Sequence, residues 1–210
     1  MIAENKRDQP FLIGFRNGFV FAERKLKKMN IDGIELFNSM YPNFFGSVKN
    51  LPEDAVYEEM LLPLGERNFT YKNDFGEDIS FGFYKGEVGA LREAIEKVDK
   101  DWVRFFDGGR VYCGYCGGKI ASFCIVDDMG EHNVNGRKLK VGGPGCVGTV
   151  PEFRRKGIGL AMIARVTEIL ADEGFDVSYI HYTGVADWYA KLGYRTFAKW
   201  GKYGFIGNNP

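Results

Sequence analysis

A basic run, Arg154-Arg155-Lys156, stands directly before Gly157-Ile158-Gly159 and a segment with helical periodicity. The first turn of a helix presents backbone N–H groups without intrahelical partners and carries a partial positive charge. Glycine at that point lets an anion approach the backbone because no Cβ atom intervenes. The basic side chains add full positive charges, so the pattern predicts a site for a diphosphate ligand.

The spacing of these residues separates the known phosphate-binding motifs. A P-loop requires G-x-x-x-x-G-K-[ST], and neither its upstream glycine nor its Lys-Ser/Thr pair is in place here. A dinucleotide-binding fingerprint requires a third glycine where Met162 stands. The spacing that does occur is R-x-x-G-x-G, from Arg154 through Gly157 to Gly159. A plainer interpretation of the same residues is a tight strand-to-helix turn beside a solvated basic surface.

The elements around this motif follow from hydrophobic periodicity. The segment 139–150 is typical of a glycine-rich strand, and the apolar residues after Gly157 share one face of a helix. Further strands are predicted at 79–84, 111–116, 119–128, 176–183 and 195–205, and further helices at 87–106 and 184–194. This mixture predicts an α+β fold of three layers (α/β/α), in which helices cover both faces of a mixed, twisted sheet.

The first part of the chain carries weaker signals. A helix is predicted over 25–40, and a second over 51–65, where Pro52 would begin it and Pro63 would end it. We therefore divide the chain into an N-terminal extension, residues 1–77, that packs on a main domain of residues 78–210.

The bulk composition excludes some classes of function. Lys plus Arg and Asp plus Glu both number 28, so the formal net charge is zero, and the basic excess of a protein that coats nucleic acid is absent. No apolar run is long enough to cross a membrane, and the first residues lack the order of a secretory signal. We expect a cytoplasmic protein without nucleic-acid or membrane partners, whose 4 cysteines are reduced.

Two segments resemble the hallmarks of one enzyme family. "VGTVPEFRRKGIGLAMIARVTEIL" (147–170) resembles the coenzyme A motif of the GNAT acetyltransferase superfamily: a strand, then R-x-x-G-x-G, then a helix. "DWYAKLGY" (187–194) resembles the second hallmark, an aromatic-Tyr pair before a Lys-Leu-Gly-aromatic ending. The two occur in the family's order with one predicted strand between them, and the resemblance covers roughly residues 78–200.

The resemblance implies acetyl-CoA as cosubstrate and a partly splayed, GNAT-like sheet. In the family, backbone N–H groups at the end of the strand before the motif hold the pantetheine arm and the acetyl group; here these would belong to Gly148, Thr149 and Val150. Tyr189 matches the family tyrosine that acts as general acid toward the CoA sulfur. The diphosphate would lie on the loop and helix start formed by Arg154, Arg155, Lys156, Gly157, Ile158, Gly159 and Leu160.

Two positions depart from the family pattern. Tyr182 stands where many members carry an Asn that reaches the pantetheine, and Val185 stands where Ala is usual. Since tandem forms exist in the family, residues 1–77 could also be a reduced copy of a second acetyltransferase-like unit, although they contain no cofactor motif.

The sequence marks no general base plainly. His181 lies on the predicted strand after the cofactor helix and is the candidate, although a strand histidine commonly makes a structural hydrogen bond instead. The alternatives are a water chain, which family members often use, or an acid at the end of the preceding hairpin: Asp127, Asp128 or Glu131.

Cys113 and Cys116 have the spacing of a zinc knuckle. A structural zinc site needs about four ligands, and the remaining Cys and His residues are scattered along the chain. On a strand the two cysteines would also point to opposite faces. We expect small core residues here and no bound metal.

The function that follows is N-acetyl transfer from acetyl-CoA to a primary amine by direct attack. The acceptor would be an amine-bearing small molecule or a protein amine, and the family's habits allow a homodimer. The alternatives are a transferase for another acyl-CoA and a non-catalytic acyl-CoA-binding or regulatory module in which Tyr189 only packs. Nucleic-acid binding through residues 154–156 is disfavoured by the zero net charge.

Overall fold

The computed structural model describes residues 30–42, 44, 56–71, 75, 78–106 and 109–205. Its helices are α1 Gly33–Met40, α2 Val88–Glu96, α3 Ile158–Asp172 and α4 Ala186–Ala190. Short 3-10 turns occupy Leu64–Glu66, Lys100–Phe105 and Pro151–Phe153. The strands are β1 Tyr57–Pro63, β2 Ile79–Phe83, β3 Val111–Cys116, β4 Lys119–Val134, β5 Arg137–Thr149, β6 Val177–Thr183, β7 Arg195–Gly201 and β8 Gly204–Phe205.

The strands form one sheet in the order β2-β3-β4-β5-β6-β1-β7-β8. β5 and β6 are parallel, whereas the other neighbouring pairs are antiparallel. Helices α3 and α4 cover one face, where Met60, Met162 and Tyr189 share a core. α1 and α2 cover the other face over two separate clusters. The predicted α+β class, with a mixed sheet between two helical layers, is confirmed.

Within the segment predicted as a helix over 51–65, Tyr57–Pro63 forms the strand β1, which lies inside the sheet between β6 and β7, and a 3-10 turn begins at Leu64. Residues 51–55 lie outside the described part. Met60 and Leu62 face the α3 core, and Leu61 faces the α1 core, so both faces of this strand are buried. Its apolar residues therefore show no alternation. The predicted boundary at residue 78 separates β1 from the sheet that it belongs to.

Two other helices are shorter than predicted. In the predicted segment 25–40, residues 25–29 lie outside the described part, and α1 begins at Gly33 because the Asp32 carboxylate accepts from the N–H groups of Ile34 and Glu35, both at 3.0 Å. The predicted helix 87–106 ends at Glu96. There Asp99 caps a separate 3-10 turn by accepting from the Asp101 N–H at 2.9 Å.

The sheet opens between β5 and β6. The two strands pair only at Val141↔Val177 and Gly142↔Ser178, whereas β5 stays paired with β4 as far as Thr149. A Cβ atom on Gly143 would lie 2.0 Å from the Tyr179 carbonyl oxygen, so the backbones touch at the point where they part. Cys146 then adopts a φ of 46°, which interrupts the regular strand. A gap remains between the carboxyl halves of β5 and β6.

The longest described helix, α3, has 15 residues, and a membrane-spanning helix needs about 20. None of the described helices has both the length and the apolar character to cross a bilayer.

Candidate active site

A cavity of about 420 Å³ lies where the gap meets the start of α3. Its walls come from the end of β5, the loop into α3 and the helix α4. Most of the residues predicted to bind the cosubstrate line it, together with the predicted general acid. The lining residues are Val98, Val147, Gly148, Thr149, Phe153, Arg154, Arg155, Gly157, Ile158, Gly159, Leu160, Val185, Trp188 and Tyr189.

The entry into α3 depends on glycine at two positions. Gly157 precedes the helix with a φ of 83°, a left-handed conformation that side chains disfavour. A Cβ atom on Gly159 would lie 2.6 Å from the Thr149 hydroxyl, so any other residue there would force the Thr149 side chain or the helix to shift. The start of the helix lines the cavity beside Arg154 and Arg155, and the first turn of a helix carries N–H groups without intrahelical partners.

The end of β5 presents its open edge to the cavity. The Val150 N–H donates to the Ala121 carbonyl on β4 at 3.0 Å, and the Val150 side chain is buried in the α2 core. Successive residues of a strand direct their N–H and C=O groups to opposite edges, so Thr149 faces away from β4. In agreement, the Thr149 carbonyl accepts from Arg154 Nε at 3.0 Å.

The structure places two of the predicted cosubstrate contacts differently from the others. The Val150 N–H is occupied by the sheet pairing that continues through it, so it is not available to a ligand. Lys156 does not line the cavity, and its Nζ lies 5.4 Å from the centroid of the Phe153 ring. Thr149, Arg154 and the helix start remain as the predicted contacts that the structure brings together.

Tyr189 lies on α4 and is 5% exposed. Its ring packs edge-on against Trp188, at 4.9 Å between centroids, and against Tyr194 at 5.8 Å. Burial raises the pKa of its hydroxyl, so Tyr189 holds its proton at neutral pH. The cavity wall therefore presents a protonated phenol.

The two positions that depart from the family pattern lie close to this site. Val185 lines the cavity. Tyr182 has a φ of 54° and stacks on Tyr57 of β1, with 4.3 Å between ring centroids. The side chain of Tyr182 is thus committed to an aromatic pair with the strand that the sequence did not predict.

His181 lies on the opposite face of the sheet from Tyr189, past the point where β5 and β6 separate. Its side chain is 33% exposed, and its Nδ1 lies 3.0 Å from Glu59 Oε2. The Tyr41 ring stacks on the imidazole at 4.6 Å, and Phe44 meets it edge-on at 5.4 Å. At the gap between β5 and β6, Tyr189 therefore lies on one face of the sheet and His181 on the other.

Glu59 is a fully buried carboxylate that sequence reasoning did not single out. Its Oε1 accepts from Trp200 Nε1 at 2.9 Å, and its Oε2 accepts from the Tyr179 hydroxyl at 2.6 Å and the Tyr182 N–H at 3.2 Å, besides His181.

In the sequence Glu59 is one of two adjacent acids, and the other, Glu58, pairs with Lys199 at the surface. No local signal distinguishes the two residues, since only the strand's position in the sheet buries Glu59.

The acids considered as alternative bases differ in their surroundings. Asp128 accepts from the Gly130 N–H at 2.9 Å, and Glu131 pairs with Lys138 at 2.5 Å. Asp127 is half-buried beside the irregular part of β5, with Oδ2 3.0 Å from the position that a Cβ on Gly145 would take. Burial raises the pKa of the Asp127 carboxyl. Of these three acids, Asp127 lies beside the gap.

The two cysteines with zinc-knuckle spacing do not share a site with other ligands. Cys113 is completely buried in the α2 core, and Cys116 is half-buried on the same strand. Within the described part of the chain, no group of three or more His, Cys, Asp or Glu side chains is placed to hold a metal ion.

Known proteins include a family that matches this chain. A family model described as an acetyltransferase (GNAT) domain matches residues 81–197, which excludes β1. A search among curated proteins finds no match to the chain.

Solved structures with a similar fold have low sequence identity to this chain. One contains the GCN5-related glucosamine N-acetyltransferase region of a fungal multi-domain β-N-acetylglucosaminidase, with a TM-score of 0.61, 19% identity, and coverage of 76% of this chain and 24% of that one. A GNAT-family protein from Novosphingobium aromaticivorans matches with a TM-score of 0.50 and 17% identity, over 72% and 67% of the two chains. A GCN5-related N-acetyltransferase from Sphaerobacter thermophilus gives 0.50 and 17%, over 69% and 49%. The chain thus spans about a quarter of the fungal protein, and these likenesses concern the fold alone.

Proposed function

This chain belongs to the GNAT acetyltransferase family, and from that premise we propose that it transfers an acetyl group from acetyl-CoA to a primary amine. The observation that carries the proposal is the cavity that joins the R-x-x-G-x-G helix start to Tyr189 at the gap between β5 and β6.

The acceptor is the amine of a small molecule or of a protein. The buried Glu59 carboxylate lies on the α1 side of the gap, and its negative charge would favour approach of an ammonium group.

The cosubstrate would be held by groups of three kinds. The N–H groups at the start of α3, with Arg154 and Arg155, would bind its diphosphate. The Thr149 N–H on the open edge of β5 would donate to the pantetheine arm, which would lie alongside β5 in the position of a neighbouring strand. This orientation brings the thioester toward the gap, with its sulfur near Tyr189.

The reaction needs an amine with a free lone pair and a leaving thiolate that becomes protonated. An alkylammonium has a pKa of about 10.4, so a base on the acceptor side must take one proton before attack; we assign this role to His181. The amine nitrogen then forms a bond to the thioester carbon, and the C–S bond breaks with its electron pair on sulfur. Tyr189 gives its proton to that sulfur and recovers one from the second proton that the nitrogen sheds, so one proton is released overall.

Calorimetric titration of the purified protein with acetyl-CoA tests the cosubstrate site, with Gly157→Glu as the disabling variant. Glutamate there adds negative charge and strains the backbone, so we expect binding to be lost. Gly174→Glu is the matched control because Gly174 also has a positive φ, 79°, lies past the other end of α3, and has open space around it. Binding by the wild type and the control alone supports the proposal, whereas no binding by the wild type overturns it.

Turnover separates an enzyme from a module that only binds acyl-CoA. Release of the CoA thiol would be followed with acetyl-, propionyl- and succinyl-CoA in the presence of a panel of primary amines. We expect thiol release with acetyl-CoA that requires the amine. Tight binding without turnover on any amine would leave the binding module as the explanation.

A further inference from the structure

We propose that Glu59 is the positioning residue of a carboxylate–imidazole pair that holds His181 Nδ1 protonated, so that Nε2 can take the proton of the acceptor amine. This rests on the proposed acetyl transfer, and it assigns part of the catalytic apparatus to a strand outside residues 81–197, the segment that the family model matches.

The hydrogen bonds define the tautomer. Glu59 Oε2 accepts from the Tyr179 hydroxyl and the Tyr182 N–H while it contacts His181 Nδ1 at 3.0 Å, so this oxygen acts as an acceptor toward all its partners. The hydrogen in the third contact therefore belongs to Nδ1. In the neutral ring the lone pair is then on Nε2, which lies across the ring from the buried carboxylate.

The imidazole is held in place while one side of it remains accessible. The Tyr41 ring stacks on it with an angle of 19° between the planes, and Phe44 contacts it edge-on. Glu59 itself is fixed by Trp200 and by the Tyr179 hydroxyl, and it is 0% exposed. A buried carboxylate with this set of donors is stable before any reaction, and it favours the imidazolium that forms when Nε2 takes a proton.

Several titratable groups face His181 from the elements packed around it. They are Glu59 on β1, Tyr41 on α1, and Tyr179 and Tyr182 on its own strand. Burial, with the charges of Glu59 and Asp127, raises the pKa of Tyr41 to about 12. The tyrosines therefore stay neutral near pH 7, and Glu59 is the charged group in contact with the ring.

The other histidine of the chain offers an internal control. His132 Nε2 lies 2.8 Å from the Met129 carbonyl oxygen, which can only accept, and its Nδ1 lies 2.7 Å from the Ser39 hydroxyl. His132 should therefore carry its hydrogen on Nε2, the tautomer opposite to that of His181.

Nitrogen NMR of the wild-type protein labelled with ¹⁵N-histidine measures both tautomers without substrate or substitution. At the alkaline end of a pH titration, where both rings are neutral, we expect one histidine with Nδ1–H and one with Nε2–H. The His132→Gln variant removes one set of signals and assigns the other. A His181 ring with Nε2–H would overturn the pair, whether or not the protein acetylates any amine.

The Glu59→Gln variant tests whether the pair acts in catalysis. We expect kcat to fall by up to about a hundredfold, the lower end of what a general base contributes, with acetyl-CoA affinity unchanged. The acidic limb of the pH–rate profile should move to lower pH, because loss of the carboxylate makes the imidazolium less favourable. In a His181→Ala background, the same change should lower the rate no further.

Ser178→Ala is the matched control, since Ser178 is buried on the same strand and bonds to the Tyr194 hydroxyl at 2.7 Å on the other face. It should lower stability while the acidic limb stays in place. If Glu59→Gln behaved like Ser178→Ala, with a smaller rate and an unmoved limb, Glu59 would be structural and the proposal would fail. If Glu59→Gln does not fold, the NMR measurement decides alone.

Discussion

At the scale of single residues, burial has two consequences for Tyr189. It keeps the hydroxyl protonated, and it makes the residue resemble an ordinary core tyrosine. The side chain is 5% exposed and belongs to the α3 core, as an ordinary packing tyrosine would. Because burial disfavours the phenolate, it raises the pKa of Tyr189. The residue thus keeps a transferable proton across the whole physiological range.

Tyr189→Phe should lower kcat by about a hundredfold or more, the range of a general acid, while acetyl-CoA affinity is retained. Phenylalanine preserves the ring packing, so the loss would come from the missing hydroxyl. In the wild type, the raised pKa predicts no alkaline limb from Tyr189 below the ordinary phenol pKa of about 10. Steady-state rates from pH 6 to pH 10, with titration calorimetry on both proteins, check this; full turnover in the variant would remove Tyr189 from the mechanism.

At the scale of elements, the gap depends on how closely β5 and β6 approach before they part. Gly143 lets the β5 backbone touch the Tyr179 carbonyl, while the pairing at Gly142↔Ser178 fixes the register just before it. A side chain at residue 143 would have to displace backbone, which is costly in a packed sheet. The close contact at Gly143 therefore determines where β5 and β6 begin to separate, and with it the width of the gap.

Gly143→Ala should lower the free energy of unfolding by about 1–3 kcal/mol, the usual range for overpacking, and weaken acetyl-CoA binding. Gly82→Ala is the control, because a Cβ at that strand position meets no atom within 4 Å; its effect should stay within about 0.5 kcal/mol. Urea denaturation of the wild type, Gly143→Ala and Gly82→Ala measures the two changes in the free energy of unfolding. Equal stabilities would show that the strands separate freely at residue 143.

The elements that the sequence could predict are those whose determinants are local. The glycines at 157 and 159 and the basic run lie within six residues of one another, so their joint meaning is visible in the sequence alone. β1 is different, because "YEEMLLP" is rich in good helix formers and is buried on both faces. Its strand conformation is imposed by β6 and β7, and the role of Glu59 could not be predicted without them.

At the scale of the whole molecule, β1 joins the chain before residue 78 to the centre of one half of the sheet. Met60, Leu62 and Leu64 are each at most 3% exposed in the α3 core. A chain limited to residues 78–210 would lose these side chains and leave β6 and β7 without their common partner. We expect it to lack a cooperative unfolding transition and to bind a hydrophobic dye, whereas a chain of residues 30–210 should unfold cooperatively. Cooperative unfolding and acetyl-CoA binding by the shorter chain would contradict this.

The position of β1 also bears on how the protein reaches its native state. Glu59 is 120 residues from Tyr179 and 141 residues from Trp200 along the chain, yet it bonds to both. Contacts of such high sequence separation carry a large loop-closure entropy and are typical of slow folding. During synthesis, β1 is made before both of its neighbours, β6 and β7, and cannot pair until they follow. The contact between Glu59 and His181 would therefore form only when the sheet closes around β1.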